Sequence, residues 1–314
     1  MSIARCNFES RISTLKDSLN DPAVANGPPS DVQKNAIASM LRNGLAVLAF
    51  AITEDFIRDR TAEVLSGFSN ATVRFDDLSD DLQQAITFSA LNGILFRARF
   101  QEKATRIQWL LSELPPIVHA ATNITNLSKY SFGQSSSNLS DDDPTKILAA
   151  FGVANGWVAI SKTAKRIGLG GVPDYAQAFK DLAKRRHSAA HTVATVIPLN
   201  DLMNSVQSII GICCSFDLLL SKALSIHNTG NIPDKKTSPV ADTNLNLKFI
   251  SPHPSQAGKF REQVESSNGS SLHTTRVFGS EQDARVAVGA RAMAQSAYVI
   301  FLGGNGVPWM WETW

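Results

Sequence analysis

Arg186, His187 and His191 lie within a stretch that reads Lys180-Asp181-Leu182-Ala183-Lys184-Arg185-Arg186-His187-Ser188-Ala189-Ala190-His191. Those residue types suit phosphodiester cleavage. RNA carries its own nucleophile, the 2′-hydroxyl, so cutting it without a metal needs a group that titrates near neutrality to move protons. Histidine is that side chain. A fixed cation must also hold the phosphoryl oxygens, and the planar fork of arginine does this better than lysine. Small Ser188, Ala189 and Ala190 leave the surface low between the two, open to a substrate or to a second helix. An ideal helix sets Arg186 and His191 about 140° apart, so Arg186 must curl round or the helix must deviate. Lys184, His187 and His191 share one face. His187 and His191 also have a metal-ligand spacing, but no glutamate stands in the zinc-protease position and no third ligand is near, so neither a metal nor a cofactor is expected. The plainer alternative treats Lys180 to Arg186 as the solvated basic face of a helix.

The elements around this stretch read as helices. Ser30, with Gln33 three places on, forms a capping-box start. Ile37, Leu41, Leu45, Leu48, Ile52, Phe56 and Ile57 follow at helical spacing, to about Phe68. Ser79 opens a second long segment through Ile86, Leu91, Leu95 and Ile107, which Leu114-Pro115-Pro116 stops. Asp143-Pro144 begins a shorter helix with Ile147, Leu148 and Phe151 inward. Asp174 caps the helix of the Arg/His stretch, with Tyr175, Phe179 and Leu182 facing the interior. Leu199 to Ile226 is almost wholly apolar, as a core helix is. Gly168, Gly170 and Gly171 follow no predicted strand, so a dinucleotide loop fails its context there.

These segments predict an all-α fold: a helical bundle over residues 1–227, its core at about 30–226. From Asn228 to Ser280, Asn, Ser, Thr, Pro, Gly and Lys dominate. That predicts an irregular linker or arm with at most a short strand or two. Residues 281–314 read as a C-terminal helix, Glu281 to Leu302, then a tail whose Trp309, Trp311 and Trp314 either dock on the bundle or form a partner or base-stacking platform.

Composition excludes little. An apolar fraction of 43% and a charged fraction of 18% describe an ordinary globular protein, and a net charge of +2 means any basic surface is local. The first residues lack the apolar run of a secretory signal, Gly44 to Ile52 is too short to span a membrane, and Ala287 to Gly304 is interrupted by Arg291 and Gln295. Cys6, Cys213 and Cys214 give no disulfide framework, and a cytoplasmic protein is expected.

The stretch resembles the HEPN superfamily, whose RNases carry Arg-x(4–6)-His with a polar residue after the arginine. Arg186-His187-Ser188-Ala189-Ala190-His191 matches that pattern, although Arg185 offers a competing Arg-x5-His, and His187 stands where Asn is commonest. A second family feature, Glu-x3-Lys/Arg on the first long helix, is matched by Glu54-Asp55-Phe56-Ile57-Arg58. The resemblance covers about Ser30 to Ile226 and is nearest to the stand-alone nucleases of toxin and defence systems. It implies catalytic roles for Arg186 and His191, with His187 beside them and Glu54 orienting one of the pair. Lys184, Arg185 and Arg58 are then candidates for holding substrate. It further implies a homodimeric, metal-independent endoribonuclease acting on single-stranded or loop RNA and leaving 2′,3′-cyclic phosphates, with an antitoxin or defence-system partner. A non-catalytic HEPN-like module that binds nucleotides or a protein is the alternative.

Overall fold

The computed structural model describes residues 2–69, 73–132, 139–192, 195–266 and 271–313. Helix α1 (Ile3–Leu19) starts at Ser2, whose hydroxyl accepts the Arg5 N–H. Helix α2 (Val32–Ser66) starts one residue later than the spacing predicts. The Asp31 carboxylate, not Ser30, accepts the Lys34 N–H at 3.1 Å. Ser79 caps α3 (Asp80–Gln84), which runs through a π-helical turn at Ala85–Ser89 into α4 (Ala90–Ala98). The predicted continuation to Leu114 breaks into turns at Phe100 and Gln101 and resumes as α5 (Arg106–Glu113) and α6 (Pro115–Val118). Then come α7 (Asp142–Ala150), α8 (Gly156–Ala164), α9 (Tyr175–His191) and α10 (Leu199–Asn228). Helices α2, α9 and α10 pack on one another, α8 lies on α9 and α10, and α1 runs along α2 and α10.

By length and composition alone, α2 and α10 could each cross a membrane. The most apolar window of α10 is 78% buried within the protein, which makes it a core helix, while that of α2 is 39% buried.

Beyond Leu245 the all-α expectation is wrong. The predicted irregular arm and C-terminal helix form a five-stranded mixed sheet covered by one helix. Its strands are β1 (Leu247–Pro252), β2 (Phe260–Glu265), β3 (Leu272–Phe278), β4 (Tyr298–Leu302) and β5 (Pro308–Glu312), in the order β3-β2-β1-β4-β5. β1 and β4 run parallel, and α11 (Glu281–Ala294) lies in the connection between β3 and β4. The physical reason is burial on both faces. Phe249, Tyr298, Ile300, Leu302 and Trp311 join the core of the bundle, while Ile250, Val299, Phe301 and Met310 pack with Ala284, Val288 and Ala292 of α11. A strand covered on both sides shows a continuous apolar run instead of alternation, so Tyr298 to Leu302 reads as the end of a helix. Ser296, at φ 49°, turns the chain out of α11.

A buried ionic cluster fastens this sheet to the bundle. Asp217, fully buried on α10, pairs with Arg60 Nε at 2.5 Å and Arg5 Nε at 3.0 Å, and accepts the Trp311 indole N–H at 2.7 Å. Burial alone would raise the Asp217 pKa, but the Arg60 and Arg5 guanidiniums outweigh it and hold the carboxyl below its usual value. Trp311 docks as expected; Trp309 is partly exposed, and Trp314 lies outside the described residues.

Near the other end of α10, His227 is buried against the rings of Phe68 and Phe151, and neither ring nitrogen has a partner. Burial pushes its pKa down to about 4. The unfolded chain therefore takes up this proton first. Stability from this site is complete above about pH 6.5 and is lost as pH falls toward 4, by about 2–3 kcal/mol at pH 4.5. Urea titrations at pH 7 and 4.5 should show this acid loss shrinking in His227→Leu. An unchanged loss would mean that other groups carry it.

Candidate active site at the end of α9

Helix α9 is positioned by its first three turns. Asp174 caps it by accepting the Gln177 N–H at 3.0 Å, and Tyr175, Phe179 and Leu182 are buried. Phe179 meets Phe50 of α2 edge-on at 5.7 Å and Trp157 of α8 at 5.5 Å. Gly211 lets α9 approach α10 closely, since a Cβ there would come within 2.5 Å of the Tyr175 ring. Sequence reasoning found the cap and the inward face but not Gly211.

The chemistry-bearing half extends past this anchor. The helix stays regular to its last residue, His191, and Thr192 is extended. Arg186 and His191 therefore keep their separation of about 140° around the axis. His187 and His191 are both exposed, their rings 4.8 Å apart. Ser188 and Ala189 are half-buried and Ala190 is exposed, so the surface between Arg186 and His191 is low, as the sequence suggests.

Charge pairing separates the cations of α9. Lys180 is paired with Asp141 at 3.1 Å, and Arg185 turns toward Asp201 of α10 at 3.9 Å. Arg185 also lines a cleft of about 410 Å³ with Asp174, Asp181 and Asp201, an acidic setting that partly satisfies its charge. Lys184 and Arg186 have no ion pair or hydrogen bond among the described residues. Of the two neighbouring arginines, Arg186 is the one left uncommitted. His187 and His191 belong to no group of three or more His, Cys, Asp or Glu placed to hold a metal among the described residues.

The chain leaving α9 is pinned by two residues that sequence reasoning missed. Arg42 of α2 is buried, and donates from Nε to the Ile197 carbonyl at 2.8 Å and from Nη1 to the Val24 carbonyl at 2.7 Å. Asn43 donates to the Thr195 carbonyl at 2.8 Å, and the Thr195 hydroxyl donates to the Ser188 carbonyl at 3.2 Å. Together they fix the C-terminal end of α9 against α2. The available signal was an arginine beside the apolar stripe of α2, where a solvated surface would not require one.

These contacts also fix direction. Phe50 stands opposite Phe179 and Asn43 opposite the fold-back onto Ser188, so α2 and α9 run antiparallel. At 1.5 Å per residue, Glu54 is then level with the start of α9, about 16 Å along the axis from Arg186. Its carboxylate pairs with Arg58 at 2.8 Å and accepts the Leu139 N–H at 2.9 Å. The structure thus sets His187 and His191 side by side with Lys184 on their face of α9, leaves Arg186 on the same turns but about 140° round the axis from His191, turns Arg185 aside, and sets Glu54 and Arg58 apart within one chain. Arg58 instead lines a larger cleft of about 890 Å³, to which α9 contributes no residue.

A helical bundle whose first long helix packs against a later helix ending in Arg-x4-His is the arrangement of the HEPN class. The chain belongs to the RiboL-PSP-HEPN family, whose model matches residues 8–222, from α1 through most of α10. No curated protein and no solved structure gives a match. Membership points to an RNA-related, nuclease-type role, and the sheet lies outside the matched region.

Proposed function

We propose that the protein is a metal-independent endoribonuclease that cuts single-stranded or loop RNA at Arg186 and His191. The observation that carries this is the uncommitted Arg186 guanidinium on the same last turns of α9 as two exposed histidines. In the reaction, one imidazole takes the proton of the 2′-hydroxyl as its oxygen attacks the adjacent phosphorus. Arg186 holds the phosphoryl oxygens as charge builds on them. The P–O5′ bond breaks, an imidazolium gives its proton to the departing 5′-oxygen, and a 2′,3′-cyclic phosphate remains. Unstacked RNA is the suitable substrate because the 2′-oxygen must swing into line with the leaving group. Such an activity fits a toxin or antiviral effector held in check by an antitoxin or a defence-system partner. Purified protein should cleave RNA in excess EDTA and leave cyclic-phosphate ends. Strict dependence on added divalent metal, with 3′-hydroxyl products, rules the mechanism out.

The active species in this reading is a homodimer in which two α9 ends meet. A separation of about 140° prevents one helix from easily presenting Arg186 and His191 to the same phosphate, whereas Arg186 of one chain can face His191 of its partner. The half of α2 alongside this end also exposes an apolar stripe: Ile37, Leu41 and Leu48, with Met40 beside it. Burying that stripe against a second copy is the simplest account of it. Leu41→Glu/Leu48→Glu should convert a dimer to a monomer in sedimentation and lower RNA cleavage at least tenfold. A wild-type monomer with full activity at the assay concentration overturns the shared site.

A further inference from the structure

A second unpartnered surface lies on the helical hairpin of α4, α5 and α6, away from α9. Helices α5 and α6 contain no buried residue. They attach through Trp109 against Tyr130 and through Lys129 to Glu113. Phe88, Leu95, Phe100, Ile107, Leu111 and Val118 are each between 48% and 72% exposed. Single exposed apolar side chains are ordinary, but five along one hairpin, with Phe88 in the turn before it, mark an interaction surface.

Charge indicates the occupant. The tip between α4 and α5 carries exposed Arg99, Lys103 and Arg106 with Glu102, whereas the rest of α5 and α6 carries only Glu113, which pairs with Lys129. An apolar centre with charge confined to one rim is the anatomy of a protein interface. A membrane surface calls for cations spread along the polar face, and a single-stranded RNA platform for aromatic rings where this surface offers mostly aliphatic ones. A second copy is disfavoured, because this surface offers its twin's basic rim few carboxylates: Glu102 stands within the rim itself and Glu113 is paired with Lys129. We propose that the α4–α6 hairpin docks an acidic amphipathic helix of a partner protein, its apolar stripe laid on Leu95, Ile107 and Leu111 and its carboxylates on the Arg99–Arg106 rim.

The test selects a displayed library of 20-residue peptides on the full-length protein, counter-selected against Ile107→Glu/Leu111→Glu. Both positions are exposed, and an unchanged circular dichroism spectrum and melting curve verify the fold. The expected result is enrichment of sequences with apolar residues at three- and four-residue spacing and an excess of Asp and Glu. Their affinity should fall at least tenfold in Ile107→Glu/Leu111→Glu and in Arg99→Glu/Lys103→Glu, with RNA cleavage unchanged. No enrichment, or enrichment without the acidic excess, overturns the proposal. It is equally overturned if the same variants instead abolish binding of a single-stranded RNA 20-mer, binding of phosphatidylserine vesicles, or self-association.

Discussion

His191→Ala is expected to cleave RNA at least about 10³-fold more slowly than the wild type, the scale set by losing a proton carrier from a site with few of them. Arg186→Ala should lose a similar factor through the phosphoryl oxygens it no longer holds. Neither substitution should change stability by more than about 0.5 kcal/mol, because Arg186 makes no ion pair or hydrogen bond among the described residues and His191 loses only its exposed ring contact with His187. Arg185→Ala separates site chemistry from general RNA affinity. Its guanidinium faces Asp201 and the acidic cleft, so most activity should remain. Glu54→Gln should slow cleavage less than tenfold, since its carboxylate engages Arg58 and Leu139 at a distance from Arg186. Single-turnover assays with each variant check these outcomes, and comparable losses in Arg185→Ala and Arg186→Ala would mean the effect is charge and not position. Mixing His191→Ala with Arg186→Ala under subunit exchange should restore part of the activity if the two groups act from opposite chains.

The largest expected effect on stability lies elsewhere, at Asp217. Asp217→Asn leaves Arg5 and Arg60 without a buried counter-charge, and breaking such a pair from one side typically costs about 3–5 kcal/mol. The rest of the cluster does not compensate. Glu63 reaches Arg60 Nη1 at 2.9 Å, but Arg60 Nε–H donates to the carboxylate that is replaced, and Arg5 Nε, 3.0 Å from it, has no hydrogen bond to fall back on among the described residues. Chemical denaturation should show a shift of that size, with the tryptophan emission of the Trp311 environment moving toward that of an exposed indole. A shift under about 1 kcal/mol would mean water reaches the cluster and relieves the charges.

Much of the bundle was legible because helices bury one stripe, and a stripe leaves a period. Asp174, Tyr175, Phe179 and Leu182 announced α9, and Asp143-Pro144 announced α7. The Arg/His stretch stood out for another reason: four cations and two histidines within twelve residues of a bundle helix are unusual, and the structure then pairs two of the cations, Lys180 and Arg185. What failed was read from composition. Asn, Ser, Thr, Pro, Gly and Lys make the arm look solvated, yet Lys248 pairs with Glu262 at 3.3 Å, and Arg291 of α11 with the same Glu262 at 2.5 Å, inside the sheet-and-helix layer. Partners distant in sequence neutralise these charges, and a local window does not see them. The distance of Glu54 from Arg186 was hidden for the same reason, since periodicity gives the face of a helix but not the direction in which its neighbour runs.

The cluster around Asp217 also has a consequence in time. It joins positions very far apart along the chain: Arg60 and Asp217 by 157 residues, Asp217 and Trp311 by 94, Arg5 and the Trp311 carbonyl by 306. Closing such loops costs entropy before any contact repays it, so nearby pairings such as α1 with α2 form earlier and the cluster closes late. Interactions absent from the transition state weigh on the unfolding barrier and leave the folding rate nearly untouched. The cluster therefore governs the lifetime of the assembled molecule more than the speed of its assembly.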